Sequence, residues 1–152
     1  MPPLDYLVIG HVAKDIGPDG HTIGGTVTYS AVTAQRLGMN AAIVTAADRA
    51  FGAEVQAALP GIAVHARVSA QSTTFQNTYT DGGRVQLLLG HADCLALGDV
   101  PDAWRSARIV HLGPIAQEVD AALARQFPGS LVALTPQGWL RMDSLAAALA
   151  AG

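Results

Sequence analysis

The sequence predicts an α/β fold built on a mostly parallel sheet, and three observations support this prediction. Short apolar runs at Tyr6–Ile9 and Ala41–Ala47 flank an amphipathic stretch, which gives the order strand, helix, strand. The same alternation resumes after residue 94. Between these two regions, two strand-like runs are joined by a glycine-rich turn, which predicts a protruding antiparallel hairpin. Alternation of this kind is typical of a parallel sheet with helices on both faces.

The composition is that of one globular domain that binds a small ligand. Half of the 152 residues are apolar, which is enough to bury a sizeable core. The net charge is -3, 14% of residues are charged, and there is no basic run, which excludes a nucleic-acid groove or a membrane surface. The single cysteine, Cys94, cannot form an internal disulfide, and the N-terminus lacks the features of a secretion signal, so we expect a cytoplasmic location.

An amphipathic helix is predicted over Thr28–Leu37. Its apolar face consists of residues spaced by three or four positions, namely Val27, Ala31, Ala34 and Leu37. Gly38 follows, and glycine commonly ends a helix. We expect this face to pack on the sheet formed by the two flanking strands.

Two adjacent glycines, Gly24 and Gly25, precede this helix and mark the candidate ligand site. Glycines adopt backbone dihedrals that other residues avoid and let a ligand approach the main chain closely. The free N–H groups of the next helical turn favour polar or anionic ligand groups. Asp15, on the strand side of the same unit, supplies a carboxylate that can hold hydroxyl groups. The alternatives are a plain strand-to-helix connection for the glycines and, for Asp15, a carboxylate just after a strand that accepts turn N–H groups.

The remaining elements follow from apolar periodicity and turn residues. A helix over Phe51–Leu59 stops at Pro60, and a strand over Ile62–Val68 follows. The hairpin pairs Thr74–Thr80 with Val85–Leu89 across a turn of two glycines, and one of its faces is suited to cover a ligand. The later predicted elements are a strand at Cys94–Leu97, a helical turn at Asp102–Ala107, a strand at Arg108–Leu112, a helix at Glu118–Phe127, a strand at Leu131–Leu134 and a helix at Leu145–Ala151.

Several polar and aromatic side chains are further candidates, each with a structural alternative. Tyr29, on the first helical turn, either faces the ligand or packs on Tyr79. Gln137 and Arg141 follow a strand end, where polar groups often meet ligands, and Trp139 either stacks on a ligand or anchors a loop. The histidines lack the short spacings of a metal site, so we expect them to be structural or surface residues. Dinucleotide, P-loop and hydrolase-elbow motifs are absent from the sequence.

Taken in order, these pieces resemble the ribokinase-like (PfkB) carbohydrate kinases. The segments that carry the resemblance are Asp5–Gly10 with Asp15, the Gly24-Gly25 turn with its helix, Ala47–Gly52, the hairpin Thr73–Leu89, Ile109–Pro114 and Val132–Pro136. The resemblance implies a Rossmann-like parallel sheet with a lid hairpin at about residues 73–90. It also implies transfer of the ATP γ-phosphate to a hydroxyl of a sugar, polyol or nucleoside, with Mg²⁺.

The same resemblance implies substrate contacts at Asp15, Gly24, Gly25, Tyr29 and Gln137. Three positions depart from the family pattern, because Tyr29 stands where an asparagine is common, and Ala13 and Gly113 stand where ribokinases proper have polar residues. Each departure removes a hydrogen-bonding group, and such a loss costs about 1–3 kcal/mol of discrimination. Ribose is therefore not the expected substrate. Ala47 and Arg49 replace a glycine and an aspartate of the family and mark a divergent branch.

Members of this family are about twice as long, and their catalytic machinery lies in the other half, at a Gly-x-Gly-Asp turn. The nearest match here, Ala96–Asp99, lacks the first glycine and is interpreted as a strand-end turn. We therefore expect residues 1–152 to be the N-terminal part of such a kinase, without the catalytic base, without a metal site and with weak or no nucleotide binding. The alternative is an inert truncated product, or a half-domain that associates with a partner or a second copy through the lid strands or an exposed sheet edge.

Overall fold

The computed structural model describes residues 3–141, so the helix predicted at Leu145–Ala151 lies outside the described residues. Two sheets and two α-helices make up this part of the chain. The strands are β1 Tyr6–Ile9, β2 Ala13–Gly17, β3 Gly20–Gly24, β4 Ala41–Ala47, β5 Ala63–Val68, β6 Thr74–Thr80, β7 Gly83–Gly90, β8 Ile109–Leu112 and β9 Leu131–Leu134, and the helices are α1 Thr26–Arg36 and α2 Arg49–Ala58.

The main sheet is entirely parallel, with the strand order β5-β4-β1-β8-β9. Alternate residues of β1 point to opposite faces, so that Leu7 and Ile9 join one buried cluster and Val8 joins the other. All seven residues of β4 are buried, as expected for a strand covered on both faces. The predicted parallel α/β architecture is confirmed.

The two faces of this sheet are covered by different kinds of structure. Both α-helices pack on one face through Val27 and Ala31 of α1 and Phe51 and Val55 of α2. Within residues 3–141 the opposite face is covered by loops and by short 3₁₀ helices, including Ala121–Arg125. α-Helices on both faces were predicted, and the described part of the chain has them on one. None of its helices combines the length and the apolar character needed to cross a bilayer.

A second sheet, of order β3-β2-β6-β7, covers the C-terminal end of the main sheet, and we call it the lid sheet. The predicted hairpin is present as β6 and β7, but it forms only half of this sheet. The other half is a β2–β3 hairpin, and β2 pairs with β6 in parallel. The lid sheet packs on the rest of the molecule through Ala13 and Phe75, which contact Ile115 and Ala116.

Three local predictions are wrong for identifiable reasons. Instead of a strand at Cys94–Leu97 there is a single bridge between Leu95 and Val119. That bridge, in which the amide of Leu95 donates to the carbonyl of Glu118 at 2.7 Å, also prevents a helix from starting at Glu118. Asp120 then caps the amide of Ala122 at 2.9 Å, and only the 3₁₀ turn remains of the predicted helix Glu118–Phe127. Leu37, assigned to the buried face of α1, is 73% exposed.

Candidate functional site

Asp15 lies in the middle of β2, on the side of the lid sheet that faces a cavity. It is therefore not in a turn just after a strand, which was the alternative to a ligand-binding role. The cavity is open and has a volume of about 670 Å³, within the usual size range of small-molecule sites. Its walls come from β2, β3 and β6, including Thr22, Asn77 and Tyr79. The structure therefore places Asp15 where a ligand under the lid sheet can reach it.

Gly24 is close to Asp15 because its missing side chain leaves room for the carboxylate. A Cβ atom at position 24 would stand 2.1 Å from Oδ2 of Asp15, far inside any allowed contact. The backbone of Gly24 does not have a positive φ, so the dihedral angles alone do not require glycine here. Glycine is therefore required at position 24 by the neighbouring Asp15 and not by the backbone dihedrals, since any side chain there displaces the carboxylate.

Gly25 is required by the backbone instead. Its dihedrals, φ 90° and ψ 153°, lie in a region that is essentially restricted to glycine. A Cβ atom would also stand 2.8 Å from the carbonyl oxygen of His11 and 3.0 Å from the amide nitrogen of Ala13. Gly25 thus caps α1 and lets the chain return closely over the segment that leads into β2.

A row of polar side chains crosses the cavity side of the lid sheet. Thr22 of β3 lies opposite Asp15 in the antiparallel register, and the Asn77 amide of β6 donates a hydrogen bond to the carboxylate. On β7, Nε2 of Gln86 donates to Oδ1 of Asn77 at 3.0 Å. These residues share one face because each strand alternates its side chains with a period of two. Asn77 and Gln86 were not singled out from the sequence as site residues, and their positions on the Asp15 face of the hairpin are the signal that identifies them.

The electrostatics of this cavity favour a neutral hydroxylated ligand over an anion. Burial raises the pKa of Asp15, while the hydrogen bond from Asn77 and the charge of Arg84 oppose the rise. The residues that line the cavity include the carboxylates of Asp15 and Asp19 but neither lysine nor arginine. A half-buried carboxylate is a strong acceptor for hydroxyl donors and repels a phosphate group.

The segment Gly113–Glu118, which we call the floor, packs against the lid sheet through Ile115 and Ala116 and does not line the Asp15 cavity. It is held by a buried carboxylate. The side chain of Glu118 is fully buried and accepts hydrogen bonds from the amides of His11, Ile115 and Ala116 at 2.7–3.0 Å. Gln117 has a φ of 65°, which is uncommon for a residue with a side chain. Glu118 was assigned to a helix, so its role as the anchor between the ends of β1 and β8 was missed.

His11 completes this anchor as a neutral residue. Its Nε2 lies 2.8 Å from the carbonyl of Asp93, which can only accept, so this nitrogen carries the proton. Its Nδ1 therefore accepts from the hydroxyl of Thr73 at 2.6 Å, and that hydroxyl in turn accepts from the amide of Ala92. Burial lowers the pKa of His11. This histidine has the structural role that the sequence predicted.

The other predicted site residues lie elsewhere. Tyr29 is 68% exposed in a shallow apolar groove with Tyr6, Leu37 and Ile109, and it does not line the Asp15 cavity. Tyr79 does line that cavity, so the structure separates the two tyrosines. Gln137 is exposed in the 3₁₀ helix Pro136–Arg141, outside the cavity lining.

Trp139, in the same 3₁₀ helix, packs against the core and donates its indole N–H to the carbonyl of Val119 at 3.0 Å. This is the contact expected of a loop anchor rather than of a stacking platform. Asp15, Gly24 and the neighbouring Gly25 are thus the predicted site residues that the structure brings together.

The described residues do not fit the ATP and Mg²⁺ implied by the family. No group of three acidic, histidine or cysteine side chains converges within residues 3–141. Asp99, in the segment closest to a Gly-x-Gly-Asp turn, accepts from the amide of Ala96 at 2.9 Å and pairs with Arg67 at 3.3 Å. Its carboxylate is used within a surface turn, as predicted.

Comparison with known proteins places this geometry in a family. No protein-family model matches the chain. A pyrophosphate-dependent kinase of the ribokinase family, solved with a pyrophosphate analog and myo-inositol, superposes with a TM-score of 0.73 at 25% identity, covering 90% of this chain and 50% of that protein. The chain has the fold of the ribokinase (PfkB) family. This confirms the resemblance predicted from the sequence.

Two further relatives agree with this assignment. A cytidine kinase from Thermococcus kodakarensis is 28% identical, with 85% of this chain and 50% of that kinase covered. A PfkB protein from Polaromonas sp. JS666 is 19% identical with a TM-score of 0.65, over 96% of this chain and 61% of that protein. The chain thus spans about half the length of the cytidine kinase and of the pyrophosphate-dependent kinase.

Within the ribokinase fold, the segment Ala47–Gly52 is structural. Asp48 caps α2 by accepting from the amide of Phe51 at 2.9 Å, and the Ser72 hydroxyl donates to its other oxygen at 2.5 Å. These bonds hold the pKa of Asp48 below its usual range. Arg49, which replaces a family aspartate, begins this helix and does not line the Asp15 cavity.

Proposed function

We propose that this chain is the acceptor-binding part of a PfkB-type kinase, which transfers a phosphoryl group to a hydroxyl of a sugar, polyol or nucleoside. The observation that carries the proposal is the carboxylate of Asp15, which faces the cavity beneath the lid sheet in space left by Gly24. Support for the ligand class comes from the cavity walls, which offer hydrogen-bonding groups but neither lysine nor arginine. The relatives add a cytidine kinase and a kinase solved with myo-inositol.

In this proposal the chain binds and orients the acceptor but does not activate it. Ionised Asp15 accepts hydrogen bonds from acceptor hydroxyls, and the lid sheet limits the access of water. The family resemblance implies that the anion-binding turn and the catalytic base lie in the other half of such a kinase. Catalysis of phosphoryl transfer depends mainly on positioning and charge stabilisation, so a fixed acceptor is a substantial share of it.

The phosphoryl donor is proposed as ATP with Mg²⁺ for the whole kinase, because this is the donor that the family resemblance implies. One of the relatives is pyrophosphate-dependent, which makes pyrophosphate the second donor to test. Neither is expected to bind tightly to the described residues, since the lining of the cavity carries carboxylates and neither lysine nor arginine. Tight binding of either donor by calorimetry at physiological Mg²⁺ would contradict this part of the proposal.

The test is calorimetric titration of the 152-residue chain with myo-inositol and with cytidine. Asp15→Asn replaces a charged acceptor by a neutral amide of the same size, and a hydrogen bond to a charged group contributes about 1.5–3 kcal/mol. We therefore expect the affinity for the bound probe to fall about 10- to 100-fold. Asp102→Asn, at an exposed carboxylate outside the cavity, is the control for loss of charge and should leave the affinity unchanged. Equal affinities for Asp15→Asn and the unaltered chain refute the proposed site.

A second function, association with another polypeptide, is favoured by one surface. The apolar groove formed by Tyr6, Tyr29, Leu37 and Ile109 lies beside β9, an edge strand on which Leu131 is 67% exposed. Uncovered apolar surface and unpaired strand edges both promote association. In this reading the chain is an inert product or half-domain that binds a partner or a second copy. Sedimentation analysis over a range of concentrations tests it, because a monomer at all concentrations contradicts self-association.

A cytoplasmic location stays a prediction from the sequence. It depends on the single cysteine, which cannot form an internal disulfide. Fractionation of cells that produce the chain with a C-terminal tag measures it directly, and recovery in the membrane or secreted fraction contradicts it.

A further inference from the structure

Three side chains form a continuous hydrogen-bonded relay on the cavity side of the lid sheet. Asn77 of β6 and Gln86 of β7 are directly opposite in the antiparallel register. The Gln86 amide donates to Oδ1 of Asn77 at 3.0 Å. Asn77 lines the same cavity as Asp15, and its amide, as a donor to the carboxylate, opposes the rise of the Asp15 pKa. The relay therefore runs from the outermost lid strand to the residue that we place in the acceptor site.

The chemistry of the three groups allows one fully bonded arrangement. An ionised carboxylate only accepts hydrogen bonds, so Asn77 must turn its NH₂ group toward Asp15. The oxygen of Asn77 then points away and needs a donor, which the NH₂ group of Gln86 supplies. Reversing either amide places two acceptors or two donors face to face. Ionised Asp15 sets this orientation of Asn77, and Gln86 stabilises it by supplying the donor that the Asn77 oxygen needs.

We propose that Gln86 is a positioning residue that fixes the orientation of the Asn77 amide. A hydrogen-bond acceptor, Asp15, and a hydrogen-bond donor, Asn77, then face the substrate side by side. The second N–H of the Asn77 amide is left to donate to the ligand. An adjacent acceptor and donor match two neighbouring hydroxyls, one of which donates to Asp15 while the other accepts from Asn77. The ligand class is thus a vicinal diol, as in an inositol or a ribonucleoside. This ligand class rests on the proposed function, but the orientation of the amides does not.

The surroundings of the relay make Gln86 suited to this role. It lies partly buried on β7, beside Leu88, which packs under the lid sheet, and one register position from Arg84. Arg84 is the charged side chain whose field acts on Asp15. Gln86 itself does not line the cavity, so it acts on the ligand through Asn77.

The first experiment measures the orientation without any ligand, by ¹³C NMR titration of the Asp15 carboxyl in the 152-residue chain. Gln86→Met removes the donor without adding charge, so Asn77 is free to turn and the pKa of Asp15 rises. Gln86→Glu accepts from the Asn77 NH₂ and turns its oxygen toward Asp15, so the pKa rises further. The matched controls are Gln56→Met and Gln56→Glu, at an exposed position on α2 outside the cavity lining. An unchanged Asp15 titration in both Gln86 variants, or an equal change in the Gln56 variants, overturns the proposal.

The second experiment measures binding of myo-inositol and cytidine by calorimetry. Gln86→Met should lower the affinity for the bound probe about 5- to 10-fold, which corresponds to one hydrogen bond, whereas Gln56→Met should leave the affinity unchanged. Suppose that the Asp15 pKa is higher in the Gln86 variants and that the unaltered chain binds neither probe. This result supports the relay and counts against the proposed function. Binding by the unaltered chain that neither Gln86 variant weakens overturns the positioning role and leaves the proposed function standing.

Discussion

Replacement of Gly24 by alanine separates the role of this glycine from that of its neighbour. The new Cβ atom would stand 2.1 Å from Oδ2 of Asp15, whereas ordinary contact begins at 3.4 Å. The carboxylate must therefore retreat by about 1.3 Å, because the backbone of β3 is held by its pairing with β2. A shift of this size is enough to break the hydrogen bond from Asn77 to Asp15 and to misplace the acceptor substrate.

The expected effect is large on binding and small on stability. Loss of a charge-assisted contact corresponds to about 1.5–3 kcal/mol, so affinity for myo-inositol or cytidine should fall about 10- to 100-fold. Stability should fall by only about 1 kcal/mol, since the flexible side chain of Asp15 absorbs the clash and part of its lost bond is replaced by water.

Gly25→Ala provides the contrast. This substitution strains the backbone, because a φ of 90° is unfavourable for a residue with a side chain and the new Cβ atom would stand 2.8 Å from the carbonyl oxygen of His11. We expect a loss of about 3 kcal/mol of unfolding free energy, or about 6–12 °C in Tm for a chain of this size. The assay pairs thermal unfolding with calorimetric titration for both variants. If Gly24→Ala binds as tightly as the unaltered chain, or destabilises it as much as Gly25→Ala does, the explanation of the two glycines is wrong.

Three further predictions concern the floor, the pH dependence and the apolar groove. Glu118→Gln weakens bonds from three buried amides and should cost about 3 kcal/mol of unfolding free energy in urea titrations, whereas a loss below about 1 kcal/mol contradicts the anchor. Burial lowers the pKa of His11 and His111, so below pH 6.5 the unfolded chain binds more protons than the folded chain does. The free energy of unfolding should therefore be highest above pH 6.5 and fall toward pH 5.5. A free energy of unfolding that does not change over this range contradicts the burial of neutral histidines. Leu131→Lys should reduce self-association in sedimentation with less than about 2 °C change in Tm, whereas a reduction by Val85→Lys alone would assign the contact to the lid sheet.

The main sheet was predictable because its strands are short apolar runs bounded by turn residues. β1, β4 and β9 have the predicted bounds, and β6 and β7 form the predicted hairpin. The β2–β3 hairpin was missed because its strands, with the sequences AKDIG and GHTIG, are polar and rich in glycine. Their pairing depends on β6, which is distant in sequence, so local periodicity does not reveal it.

The candidate site was predictable in its residues but not in its geometry. Asp15 and Gly24 were singled out from the glycine pair and the order of motifs, yet the reason for Gly24 is a side chain nine positions earlier. Asn77 and Gln86 become neighbours of Asp15 only through the lid sheet register. Glu118 was assigned to a helix, because nothing in its local sequence shows that its carboxylate binds the amides of Ile115 and Ala116.

The most direct test of the account is the ¹³C resonance of the Asp15 carboxyl during titration with myo-inositol and with cytidine, assigned through Asp15→Asn. If Asp15 holds the acceptor hydroxyls, its resonance moves with saturation by the bound probe, while the resonance of Asp48, which caps α2 outside the cavity, stays fixed. A probe that binds measurably and leaves the Asp15 resonance unmoved would contradict the central claim.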